Sequence, residues 1–98
     1  MAIETLPFDT SEFVGTPEAE AELLTDALDS GDATYITHAL GVIARARGMS
    51  AIAREAGVTR EALYKALSET GDPKLSTLLG VLKALGISLS ARSDRLSA

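Results

Sequence analysis

Residues 49–68, Met-Ser-Ala-Ile-Ala-Arg-Glu-Ala-Gly-Val-Thr-Arg-Glu-Ala-Leu-Tyr-Lys-Ala-Leu-Ser, carry the spacing of a helix-turn-helix, two short helices crossing through a tight turn. The first helix needs a small residue where the second leans on it, and Ala53 supplies one. Four residues later the chain must turn sharply, often through a left-handed backbone that side chains resist, and Gly57 stands there. Ile52, Ala56, Val58, Leu63, Ala66 and Leu67 fall where both helices face a core. Thr59, Arg60, Glu61, Tyr64 and Lys65 fall on the outward face of the second helix. A helix so placed can enter a DNA major groove and present side chains to base edges.

The rest of the chain must build a core for that unit. Ninety-eight residues suit one domain with a modest core. Hydrophobic residues make up 46% and aromatics only 4%, so the core is built from Leu, Ile, Val and Ala, which favours small packed helices. There is no cysteine, which excludes disulfides and cysteine-ligated metal sites. No apolar run has the length of a membrane span and no secretory leader is evident, so a cytoplasmic protein is expected.

A net charge of −5 argues at first sight against nucleic acid, but the average hides a division. Residues 1–32 hold nine acids and no Lys or Arg, whereas residues 33–98 hold all nine bases against five acids. Residues 45–65 alone carry Arg45, Arg47, Arg54, Arg60 and Lys65 against Glu55 and Glu61. Affinity for DNA follows the charge of the contacting face, not the chain average. Such asymmetry signals two different partners, although acids also favour helix starts and solvated arms.

Residues 1–15 read as an N-terminal arm, in which Leu6, Phe8, Phe13 and Val14 alternate with acids. Both phenylalanines of the chain are here, too apolar for a solvated tail, so they cover either the domain or a partner. Residues 16–98 read as the domain. Thr16-Pro17-Glu18 is a helix start, and a first helix is expected over about 17–29 with Ala19, Leu23, Leu24, Ala27 and Leu28 inward. Asp32 caps a second helix over 33–47, with Ile36, Ala39, Leu40, Ile43 and Ala44 inward and Arg45 and Arg47 as charges of its last turn. Ser50 is expected to cap the third helix, to about Ala56, and Thr59 the fourth, to about Ser68. Asp72 and Pro73 are expected to start a fifth helix over 73–85, with Leu75, Leu78, Leu79, Leu82 and Leu85 as its stripe. Ile87, Leu89 and Ala91 then alternate with polar residues, the period of a short C-terminal strand.

Five short helices around this motif resemble the lambda-repressor-like (Cro/C1-type) helix-turn-helix domain, an all-α fold. The resemblance extends along Leu6-Pro-Phe-Asp9, Thr16-Pro-Glu18, Gly31-Asp32, Ala53-Arg-Glu-Ala-Gly57-Val, Arg60-Glu-Ala-Leu-Tyr-Lys-Ala-Leu67 and Leu82-Lys-Ala-Leu-Gly86. That order is similar to the putative addiction-module antidote family of bacterial antitoxins. The resemblance implies a homodimer that neutralises a small basic toxin of the RelE/ParE type and represses the promoter they share. Carried onto this chain, the DNA-facing residues are Ser50, Thr59, Arg60, Glu61, Tyr64 and Lys65. Glu61 departs from a phosphate-facing pattern and belongs there only if it accepts from a cytosine amino group or pairs with a base nearby. Phe8 and Phe13 are candidate toxin contacts.

Other readings stand beside this one. The polar face of the fourth helix is also what any solvated amphipathic helix presents. A domain of this kind can serve as an interaction module without DNA binding, or as a free-standing regulator without a toxin. His38 is the single histidine and reads as an ordinary surface residue. No phosphate-binding glycine loop, catalytic triad or metal-ligand spacing is present, so neither an enzyme nor a cofactor is expected.

Overall fold

The computed structural model describes residues 16–94, and these form five helices in the order α1 (Pro17–Ser30), α2 (Ala33–Arg47), α3 (Met49–Ala56), α4 (Arg60–Ala66) and α5 (Leu75–Leu85). Local chemistry sets most of the boundaries. The Thr16 hydroxyl accepts from the Ala19 amide at 3.1 Å and Pro17 opens α1, while Asp32 caps α2 by accepting from the Thr34 amide at 3.0 Å. α1 ends at Gly31 and α5 at Gly86.

The core is a single aliphatic cluster in which Leu24, Leu40, Ile43, Ile52, Leu63 and Leu82 are buried, with Ile36, Leu78 and Ile87 packed at its edge. α1 lies chiefly on α2, and α3 is the hub, touching α2, α4 and above all α5. The α3–α5 crossing is close because it joins small residues. A Cβ placed on Gly80 would stand 3.1 Å from the Ala56 carbonyl oxygen and 3.5 Å from the Ala56 Cβ.

Several expectations from the sequence change. α3 begins at Met49, not after a Ser50 cap. Gly48, at φ 109°, closes α2 and opens α3 as the single residue between them, so Ser50 is an exposed residue of the first turn. α5 begins at Leu75, with Lys74 as its cap residue and no side-chain cap bond. The loop before it is held against the end of α4, where a Cβ on Gly71 would fall 2.2 Å from the Ala66 carbonyl oxygen. That contact keeps residues 71–74 out of helical geometry, and Asp72 and Pro73 do not start the helix.

The stripe of α5 is also rotated from expectation. Val81, Leu82 and Leu85 are buried, whereas Leu75 is 68% and Leu79 48% exposed. Leu75 stands in the first turn, beyond the reach of the core, and the Gly80 crossing turns Leu79 outward. On α1, Leu28 is 39% exposed and the buried set includes Glu20 instead. Finally, no strand forms among the described residues. After Gly86 the Ile87 amide bonds the Leu82 carbonyl at 2.9 Å, and residues 87–93 take no strand geometry. Among the described residues that segment has no second strand to pair with.

Glu20 is only 2% exposed and is neutralised by Arg47 across the α1–α2 pair. Arg47 donates through Nε to Glu20 Oε2 at 3.1 Å and through Nη2 to Oε1, and Nη2 also reaches the Leu85 carbonyl at 3.2 Å. The bond to Glu20 stabilises the guanidinium cation and raises its pKa, with burial opposing. Arg47 is therefore no plain terminal charge. It ties α1, α2 and the end of α5 together.

Candidate nucleic-acid interface

The α3–turn–α4 unit is built from its two ends inward. Gly57 takes the left-handed conformation, φ 79° and ψ 24°, and its amide bonds back to α3 at the Arg54 carbonyl, 3.2 Å away. Val58 bonds the Ala53 carbonyl at 3.0 Å, and the Thr59 hydroxyl then caps α4 by accepting from the Ala62 amide at 3.0 Å. Ala53, Leu63 and Leu67 are buried, as the spacing requires. α4 is anchored along one side by Leu63 and Leu67, so its other side is fixed in direction.

That other side carries Arg60, Glu61, Tyr64 and Lys65, all exposed, with Thr59 exposed at the helix start. Arg60 and Tyr64 stand one turn apart and act as a unit. The guanidinium carbon lies 5.4 Å from the ring centroid, and Nη2 is 3.5 Å from the phenol oxygen. The hydrogen bond with Tyr64, then its charge interaction, raises the Arg60 pKa, so this group is a cation at every working pH. Among the described residues Lys65 forms no ion pair, leaving its charge to the surface. Ser50 is exposed on α3. His38 is exposed on α2, as an ordinary surface histidine would be.

A groove of about 510 Å³ runs beside α4, lined by Val58, Ala62, Lys65, Ala66, Pro73 and Lys74 among others. The sequence reading missed Lys74, which the folded-back loop brings to the same groove as Lys65. Its signal was Gly71, the small residue that allows the loop to lie on α4. Arg45 points elsewhere, over Gly41, where a Cβ would lie 3.4 Å from both its terminal nitrogens. Phe8, Phe13 and the rest of the arm lie outside the described residues.

The geometry is that of a charged, anchored helix with a cleft beside it. Comparison with known proteins then gives it a context. A family model described as a probable addiction module antidote protein matches residues 4–93. The chain belongs to that antidote family. A protein of Haemophilus influenzae described only as uncharacterized is 47% identical over 89 residues, covering 90% of this chain and 91% of its own. No solved structure matches the chain. As an addiction module antidote, the protein has a toxin as its counterpart, and this favours an antidote over a free-standing regulator. No helix among the described residues is long and apolar enough to cross a membrane.

Proposed function

We propose that this antidote neutralises a small basic toxin of the RelE/ParE type and, as a homodimer, binds the promoter of its own module as an autorepressor. The observation that carries the DNA half is the outward face of α4, where Arg60 is braced over Tyr64 and Lys65 is exposed. In this reading the α3–turn–α4 unit is a lambda-repressor-like helix-turn-helix whose α4 enters the major groove. Arg60 reads a guanine edge and Glu61 accepts from a cytosine amino group. Tyr64, Lys65 and Ser50 donate to phosphates and set the register. The Thr59 hydroxyl, already accepting from an amide, keeps its own proton to donate. Two copies place two such helices about one DNA turn apart, roughly 34–36 Å.

Family membership supports the toxin half. The acids of residues 1–32, apart from the buried Glu20, suit a basic counterpart, and Phe8 and Phe13 supply apolar anchors. The test of the DNA half is a gel shift with DNA from upstream of the gene, comparing the wild type with Arg60→Ala/Lys65→Ala. Each lost contact is expected to cost about 1–3 kcal/mol, and unchanged affinity refutes the assignment. The toxin half is tested by co-expression with the neighbouring reading frame. Growth rescue and co-purification support it, and failure of both removes it.

A further inference from the structure

On α1, Glu18, Glu22, Asp26 and Asp29 recur at helical spacing and share one solvent face, where the helix carries no base. Beside that stripe runs a groove of about 190 Å³ between α1 and residues 87–92, lined by Ala21, Leu24, Thr25, Leu28, Leu89 and Arg92 among others. Leu28 and Leu89, 39% and 46% exposed, are its open lips. Beneath them the apolar lining continues through Ile36, Leu40, Leu78 and Leu82 to the core. A large aliphatic pair thus stays partly open to water next to a row of carboxylates.

We propose that this groove is the docking site of the toxin, a basic protein that seats an apolar side chain between Leu28 and Leu89 and lays Lys or Arg along the α1 acids. The inference rests on the antidote reading and adds to it a surface within the described residues, separate from Phe8 and Phe13. The charges choose the occupant. Nucleic acid is repelled by the stripe. A second copy seated on the same groove by a two-fold axis would bring one acidic stripe against another, with like-charge repulsion. A cationic protein meets neither obstacle. The chain itself already sets a guanidinium there, Arg92, 3.8 Å from Asp29.

The test uses the full chain and the basic product of the adjacent reading frame, purified and immobilised as the probe. Leu28→Lys/Leu89→Lys is expected to weaken binding at least tenfold, mainly through faster dissociation. Glu22→Lys/Asp29→Lys is expected to slow association and flatten its salt dependence, because charge governs encounter and buried anchors govern residence. Leu75→Lys, on the exposed start of α5, is expected to bind like the wild type. Should the leucine double variant melt early, Leu89→Ser outside the helices replaces it, with the same tenfold loss expected. Wild-type binding with both groove variants unaffected overturns the groove while leaving the antidote reading intact. A wild type that neither binds nor rescues growth defeats the antidote reading itself. A groove variant that instead changes the molecular mass by light scattering identifies a second copy as the occupant and overturns the proposal.

Discussion

Gly80 faces Ala56 so closely that a Cβ on the glycine would stand 3.1 Å from the alanine's carbonyl oxygen. Ala56 is the last residue of α3, one position before the left-handed turn at Gly57. The contact therefore fixes α5 against the end of the helix from which the turn and α4 depart. A helix glycine normally weakens its helix, yet here its missing side chain is what lets the two axes approach.

Gly80→Val is expected to destabilise the domain by about 1–3 kcal/mol through overpacking against backbone. Gly80→Ala is expected to cost less, since its better helix propensity returns up to about 1 kcal/mol. Urea denaturation checks both. A valine variant as stable as the wild type would mean that the crossing relaxes freely.

The Glu20–Arg47 pair is unequal, because the carboxylate is enclosed while the guanidinium side chain is 35% exposed. Arg47→Ala strands a buried charge and is expected to cost about 2–4 kcal/mol. Glu20→Gln leaves a half-exposed cation that water can serve, and is expected to cost about 1–2 kcal/mol. Equal losses in denaturation would show that the burial is not asymmetric in solution.

Gly71→Ala is expected to prise the loop from α4, since its new Cβ would fall 2.2 Å from the Ala66 carbonyl oxygen. Overpacking of this size is expected to cost at least about 1–3 kcal/mol. Because the same loop brings Lys74 beside Lys65, promoter affinity in the proposed DNA reading should fall along with the melting temperature. A variant that keeps both would show that the loop does not rest there.

The Tyr35 hydroxyl donates to Asp26 at 2.5 Å, and that hydrogen bond, with burial and the carboxylate charge, raises the phenol's pKa above 10.0. A folded-state pKa above the unfolded one gives stability that is complete below the unfolded pKa. It is lost as pH rises through the folded value. Ultraviolet titration in a Tyr64→Phe background isolates Tyr35. Asp26→Asn is expected to bring its midpoint down, and an unmoved midpoint would remove the bond from the account.

The helix boundaries that were legible share a cause. Thr16, Asp32 and Thr59 each bond an amide two or three residues ahead, and Gly31, Gly57 and Gly86 end helices through their own backbone. Those are short-range interactions, so the residues that make them stand together in the chain. The polar face of α4 was legible for the same reason, since Leu63 and Leu67 fix its phase.

What the sequence by itself determined was the number of helices, most of their caps and the side of α4 that faces solvent. Tertiary structure alone decided that Arg47 serves Glu20, that Leu75, Leu79 and Leu28 stay open to water, that α5 waits until Leu75, and that residues 87–92 form no strand. Most of these depend on groups far apart in the chain, 27 residues in the case of the ion pair. Periodicity states which residues can share a face, but only the position and spacing of the neighbouring helices settles which part of that face is covered.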